Sequence, residues 1–254
     1  MKILFLLIIW FIPLLANSCF GAEMRIRVPE GNTYPPFFIN DQNGRWTGLS
    51  IELVEALLQE AGHTPIYVPL PFNRGLKEIQ AGKIDIMLNM SIAPERRSFM
   101  YFIGPQLDET ILLVTRTEKN FLITSLDDLA KLPNGIGVER GKLYSGPFEK
   151  KRTEDKAFSH RLEEVTDIDR NEKKLNAGYI SGFLGYGYHL IYQKRTNPLY
   201  KKFTIQPLVI GRDWVYFGFS KKSISEKQLR QLQNAYDRLN RRGILAAIRQ
   251  KYRR

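Results

Sequence analysis

The sequence predicts an α/β protein built on an open sheet, and three observations carry that expectation. Between residues 24 and 90, segments with period-2 hydrophobicity alternate with segments of helical period, giving strand, helix, strand, helix, strand. A second alternation of the same kind begins near residue 111. Glycines stand where helices should stop, at Gly62, Gly82, Gly178 and Gly243. Sheets of this kind bind ligands beyond the carboxyl ends of their strands.

Residues 24–28 alternate as a short strand and lead into a turn-forming loop over 29–38 that carries aromatics. A second turn signal lies at 40–44. Ser50 is placed to cap a helix with Ile51, Val54, Leu57 and Leu58 on one face, closed by Gly62. Residues 66–70 read as a strand and 72–81 as a short helix with Leu76 and Ile79 on one face. Ile84, Ile86 and Leu88 then alternate with Asp85, Met87 and Asn89, and Pro94 stops an immediate return to helix. Residues 101–109 look irregular and 111–115 form an apolar strand.

Thr124 or Ser125 caps the next helix, through Leu126, Leu129 and Ala130, and a strand over 135–138 runs into Gly141. The charged stretch 148–169 shows little periodicity. A helix end at 175–178 precedes a strand over 179–185, where Gly182, Gly185 and Gly187 allow either close backbone approach or tight packing. Residues 214–220 form a strand, and Ser223 with Glu226 has capping-box spacing before a helix carrying Leu229, Leu232, Tyr236 and Leu239. A last helix bears Ile244, Ile248 and Tyr252. With no repeat, heptad run or low-complexity linker, the two α/β units are expected to be intertwined.

With 254 residues, 43% of them hydrophobic, the chain can bury one large or two modest cores. No run reaches the roughly 18 to 20 apolar residues that span a bilayer. Lys2, the apolar run 3–15 and the small residues Gly21 and Ala22 read as a secretory signal peptide over 1–21, cleaved after Gly21 or Ala22. Cys19, the sole cysteine, leaves with it; Ala16-Asn17-Ser18 before it makes a poor lipoprotein signal. Export without disulfides points to the periplasm. The net charge of +12 would suit nucleic acid, but export argues against that partner and for a basic surface or an acidic ligand.

Asn89, Ser91 and Arg96 come off the end of one strand. An arginine fork matches a carboxylate, with Ser and Asn filling further hydrogen bonds. A solvated basic turn is the plainer alternative.

Taken together, Tyr34-Pro35-Pro36-Phe37, Gly44, Gly48, residues 72–76, Gly82-Lys83-Ile84-Asp85, Ser91 through Arg96, Phe102 and Gly104-Pro105 resemble the bacterial extracellular solute-binding proteins of family 3. Residues 126–129, 135–141 and 243–252 match more loosely, so the resemblance spans nearly the whole mature chain. It implies the type II periplasmic binding fold: two α/β lobes joined by two crossover strands, with solute held in the cleft. Lobe one would take 22–109 and 211–254, and lobe two 110–210. By the same resemblance Arg96 clamps a ligand carboxylate, aided by Ser91 and Asn89, Tyr34 stacks on the ligand, and Phe37 and Phe72 line the cleft. Arg74, in an aromatic-x-Arg run, adds a second positive group.

The departures bear on the ligand. Acidic residues that usually hold a ligand ammonium fall at Gly31 and Tyr186, with Glu30 adjacent to the first. The usual Gly-Thr-Thr reads Gly141-Lys142-Leu143, so a lysine replaces a hydroxyl. A more acidic or more aromatic solute follows as an expectation.

Enzyme chemistry finds little support. His63, His160 and His189 lack metal-ligand spacing, so no metal and no cofactor is expected. No Gly-x-Ser-x-Gly elbow or phosphate loop is present. A dehydratase of this fold would need an acid or base, for which Glu30 and Glu139 are the candidates. The reading is an exported, monomeric, non-enzymatic binding protein for a small carboxylate-bearing solute, serving an ABC permease or, alternatively, a membrane sensor.

Overall fold

The computed structural model describes residues 21–253 apart from 32 and 42; the expected signal peptide and Cys19 lie outside the described residues. The chain forms β1 (Glu23–Val28), β2 (Ile39–Asn40), β3 (Trp46–Thr47), α1 (Leu49–Ala61), β4 (Thr64–Pro69), α2 (Phe72–Gln80), β5 (Ile86–Met90), α3 (Pro94–Arg97) and β6 (Met100–Arg116). There follow α4 (Leu126–Ala130), β7 (Gly135–Glu139), α5 (Gly146–Glu154), α6 (Lys156–Ser159), β8 (Leu162–Val165), α7 (Ile168–Ala177), β9 (Ile180–Tyr186) and α8 (Gly187–Thr196). The 18-residue β10 (Phe203–Ser220) and helices α9 (Glu226–Arg241) and α10 (Ile244–Lys251) complete it.

One eight-stranded sheet runs β4-β1-β5-β10-β6-β9-β7-β8. Its outer strands pair in parallel, β1 with β4 and β5, and β7 with β8 and β9. The central β10 and β6 pair antiparallel with each other and with their neighbours β5 and β9. Helices α1, α9 and α10 pack together, while α7 and α8 lie against β9. Burial follows the pattern of each element: β1 alternates buried Met24, Ile26 and Val28 with half-exposed residues, whereas every residue of β9 is buried.

Four expectations are corrected. Residues 101–109 are not irregular but lie within the continuous β6. The polar Gln106 and the Gly104-Pro105 pair spoil the alternation, and the ladder absorbs them in a bulge where Val215 and Phe217 face Leu107 and Ile103. The last strand begins at Phe203, well before residue 214, with register shifts around Val209 and Gly211. Ser50 does not cap α1. Gly48 does, at φ 110°, and the first helical N–H groups donate to the Pro36 and Phe37 carbonyls. A Cβ on Gly48 would stand 2.6 Å from the Pro36 oxygen, so only glycine fits there. The capping box of α9 is made by Ser225 and Gln228, two residues further along than Ser223 and Glu226. The aperiodic stretch 148–169 holds α5, α6, β8 and the start of α7, whose helices are capped by Ser145, Asp155 and Asp167.

Candidate functional site

A cavity of about 360 Å³ opens where several strands of the sheet end. Pro29 follows β1, Phe72 follows β4, Asn89 is the penultimate residue of β5, Glu139 ends β7, Thr166 follows β8 and Tyr186 ends β9, and all six line it. Parallel strands on both sides of the sheet thus aim their carboxyl ends at one space, as the open-sheet expectation requires. The volume suits a small solute.

Seven of the nine residues singled out from the sequence line this cavity: Tyr34, Phe72, Asn89, Ser91, Arg96, Lys142 and Tyr186. Phe37 does not. It is fully buried behind Tyr34, with ring centroids 5.4 Å apart, and its neighbour Phe38 lines the wall instead. Arg74 does not either; it lies on the outer side of α2, 3.7 Å from Glu78, with its side chain 67% exposed. Glu30 is exposed and does not line the cavity.

One wall is cationic. Arg96, in the short helix α3 that follows β5, is buried and donates from Nη1 to the Ser91 carbonyl at 3.1 Å. Arg27, on β1, donates from Nε to the Leu70 carbonyl at 2.8 Å. Their guanidinium carbons lie 5.9 and 5.7 Å from the centre of the Phe72 ring. Neither forms a salt bridge among the described residues. Burial lowers the pKa of both, that of Arg27 to about 10.

Asn89 is held in an unusual backbone conformation, φ 56°, by a small network. Its N–H donates to Gln106 Oε1 at 2.9 Å, and its Oδ1 accepts from Gln106 Nε2 and from Ser50 Oγ, both at 2.8 Å. Gln106 and Ser50 are fully buried, so the network fixes the strand end that carries Ser91.

The other wall mixes charges. Lys142 Nζ sits 4.9 Å from the Tyr34 ring centre and 4.5 Å from that of Tyr186. It lies 3.0 Å from Glu139 Oε1, but without hydrogen-bond alignment, so that buried oxygen has no hydrogen-bond partner among the described residues. Glu109, from the middle of β6, also lines the cavity. Loss of solvent pushes its pKa up to about 8, with Lys142 opposing and Asp213 and Glu139 adding to the rise. The Tyr34 hydroxyl is likewise buried and unpartnered, and burial raises its pKa well above the ordinary tyrosine value. Asp167 and Asp169 complete this side.

Sequence reasoning missed Arg27, Glu109 and the two aspartates. Arg27 alternates with the buried Ile26 and Val28, which reads as a solvent-facing strand position. Glu109 fell in the stretch expected to be irregular. Among the described residues no group of three or more His, Cys, Asp or Glu side chains could hold a metal ion, and no helix is long and apolar enough to cross a membrane.

Residues 26–254 match the family described as bacterial extracellular solute-binding proteins, family 3. A probable amino-acid-binding protein, YxeM of Bacillus subtilis (strain 168), is 26% identical over 223 residues, covering 87% of this chain and 81% of the relative. Among solved structures, a histidine kinase sensor domain with similarity to periplasmic binding proteins superposes with a TM-score of 0.75 at 18% identity, covering 91% of this chain and 95% of that one. An ancestral amino acid-binding protein, AncCDT-1, a precursor of cyclohexadienyl dehydratase, gives 0.74 at 20% identity, with 91% and 95% covered. These likenesses confirm the expected type II periplasmic binding fold.

Proposed function

Because this chain belongs to the bacterial extracellular solute-binding proteins of family 3, we propose that it captures a small, carboxylate-bearing, amino-acid-like solute in the cavity and presents it to an ABC permease. The observation that carries the reading is Arg96: a buried guanidinium in the cavity wall, without a carboxylate partner among the described residues, next to Ser91 and Asn89. A buried charge without a counter-ion is costly, and a bound carboxylate is the group that relieves it. Tyr34 and Phe72 supply flat apolar faces for the rest of the solute.

The acids the resemblance places at Gly31 and Tyr186 are absent, but Glu109 and Glu139 bring carboxyl groups to the same cavity from β6 and β7. They serve a ligand ammonium. Residues 22–109 with 211–254, and residues 110–210, act as two lobes that close on the solute. In support, the two lobe boundaries lie across the β6–β10 ladder from each other, with Ile111 paired to Gly211. Closure is stabilised only by the solute's preference for the closed form.

A thermal-shift and calorimetric screen of amino acids against the purified protein tests this, since binding to the native state raises Tm. Arg96→Ala should abolish every hit. Hits confined to neutral sugars, or carboxylate ligands indifferent to Arg96→Ala, would sink the proposal.

A further inference from the structure

Arg27 is a cavity residue that the solute reading above does not use. It reaches the cavity through a gap in α2. Gly75, a buried helical glycine, leaves space that Arg27 occupies: a Cβ there would stand 2.9 Å from Arg27 Cγ and 3.5 Å from Arg27 Cδ. Glycine inside a helix costs roughly 1 kcal/mol relative to alanine, and here its missing side chain admits the stem of an arginine. The Leu70 carbonyl then fixes Nε at 2.8 Å, which leaves the terminal nitrogens free to face the cavity.

Two guanidinium groups therefore flank Phe72, and among the described residues neither is matched by a carboxylate. The acids that line the cavity do not neutralise them: Glu139 lies against Lys142, Asp167 against Arg170, and neither Glu109 nor Asp169 forms a salt bridge to either arginine among the described residues. A single carboxylate offsets one of the two charges. A solute with a second acidic group offsets both, and each new ion pair can be bidentate.

We infer that Arg27 and Arg96 together form a two-guanidinium anion subsite around Phe72, which selects solutes carrying two acidic groups over their singly acidic counterparts. This deepens the proposed function and rests on it. The solute class is an amino acid with an acidic side chain, either a carboxylate or a phosphate ester.

The test is calorimetry with isosteric pairs: aspartate against asparagine, glutamate against glutamine, and phosphoserine against serine. At least one acidic member should bind ten-fold or more tightly than its neutral partner, and the pair that does so identifies carboxylate or phosphate as the second acid. Arg27→Gln should shrink that preference by about ten-fold, because it removes the second charge while Arg96 still holds the first. Gly75→Ala should do the same by displacing Arg27 with its charge intact, which guards against a folding defect in one variant. Equal affinity for acidic and neutral members, or an undiminished preference in both variants, would overturn the inference while leaving a carboxylate site abolished by Arg96→Ala intact. Failure of every carboxylate solute to bind would instead overturn the proposed function, and this inference with it.

Discussion

The imidazole of His189 hangs from the carbonyl of Pro35, with 2.6 Å between Nδ1 and the oxygen. The carbonyl can only accept, so Nδ1 is the donor. His189 starts α8 and is 1% exposed; its ring also stacks on Tyr34 at 4.8 Å and its Nε2 lies 3.4 Å from Glu172 Oε1. The contact joins residues 154 apart and ties the loop that carries Tyr34 to the far half of the sheet. His189→Leu should weaken solute binding about five-fold, since a net hydrogen bond contributes roughly 1 kcal/mol and ten-fold corresponds to about 1.4 kcal/mol. An unchanged Kd by calorimetry would show that the contact plays no part in closure.

Glu109 sets a pH dependence with a definite sign. Its folded-state pKa is raised to about 8, chiefly by loss of solvent. Between the ordinary carboxylate value and about 8 the native state therefore holds a proton that the unfolded chain has released. Raising pH through that window must favour unfolding. The ligand-free protein should lose stability from about pH 5 to pH 8, and Glu109→Gln should flatten the slope. Urea titrations at stepped pH read this directly, and a slope unaltered by the variant would refute it.

Gln106 is fully buried and satisfies both the N–H and the side-chain oxygen of Asn89. Gln106→Leu would leave the Asn89 N–H without an acceptor and its oxygen with Ser50 alone, so the protein should lose about 1–3 kcal/mol. The urea midpoint should fall, and solute affinity with it, because Ser91 follows directly on the strand end that Asn89 fixes.

Phe37 and Phe38 differ by one position, and both are buried in the same core. Phe37 packs against Tyr34 and Tyr188 away from the cavity, so Phe37→Ala should cost about 3–5 kcal/mol of stability. Phe38→Ala also strips the cavity wall, so it should lower solute affinity as well as stability. Thermal melts with and without solute separate the two.

The pair of phenylalanines also shows where the sequence is legible and where it is not. Local pattern placed β5 and the turn that carries Arg96, because strand, proline and arginines lie within one short run. It placed the glycine stops of α1 and α7, both left-handed. It did not decide which of two adjacent aromatics faces the solute, since a loop has no period to fix orientation. Arg74 stands in the aromatic-x-Arg run that the resemblance points to, whereas Arg27 carries no local signal; the gap at Gly75 in α2 is what accommodates the Arg27 stem. Glu109 was hidden for the same reason, as its exposure to the cavity depends on partners in β10 about a hundred residues later.

The pairing of β5 with β10 has a consequence for the order of synthesis. β5 ends at Met90, yet its ladder partner there is Tyr216. The strands between them, β6 to β9, emerge as one contiguous stretch and can find each other as soon as they are made. The earlier strands β4, β1 and β5 pair among themselves, but the edge of β5, and the side of α1 that α9 and α10 cover, stay bare until about the last forty residues arrive. The two halves of the sheet, and the cavity their strand ends share, are therefore joined only when β10 is complete.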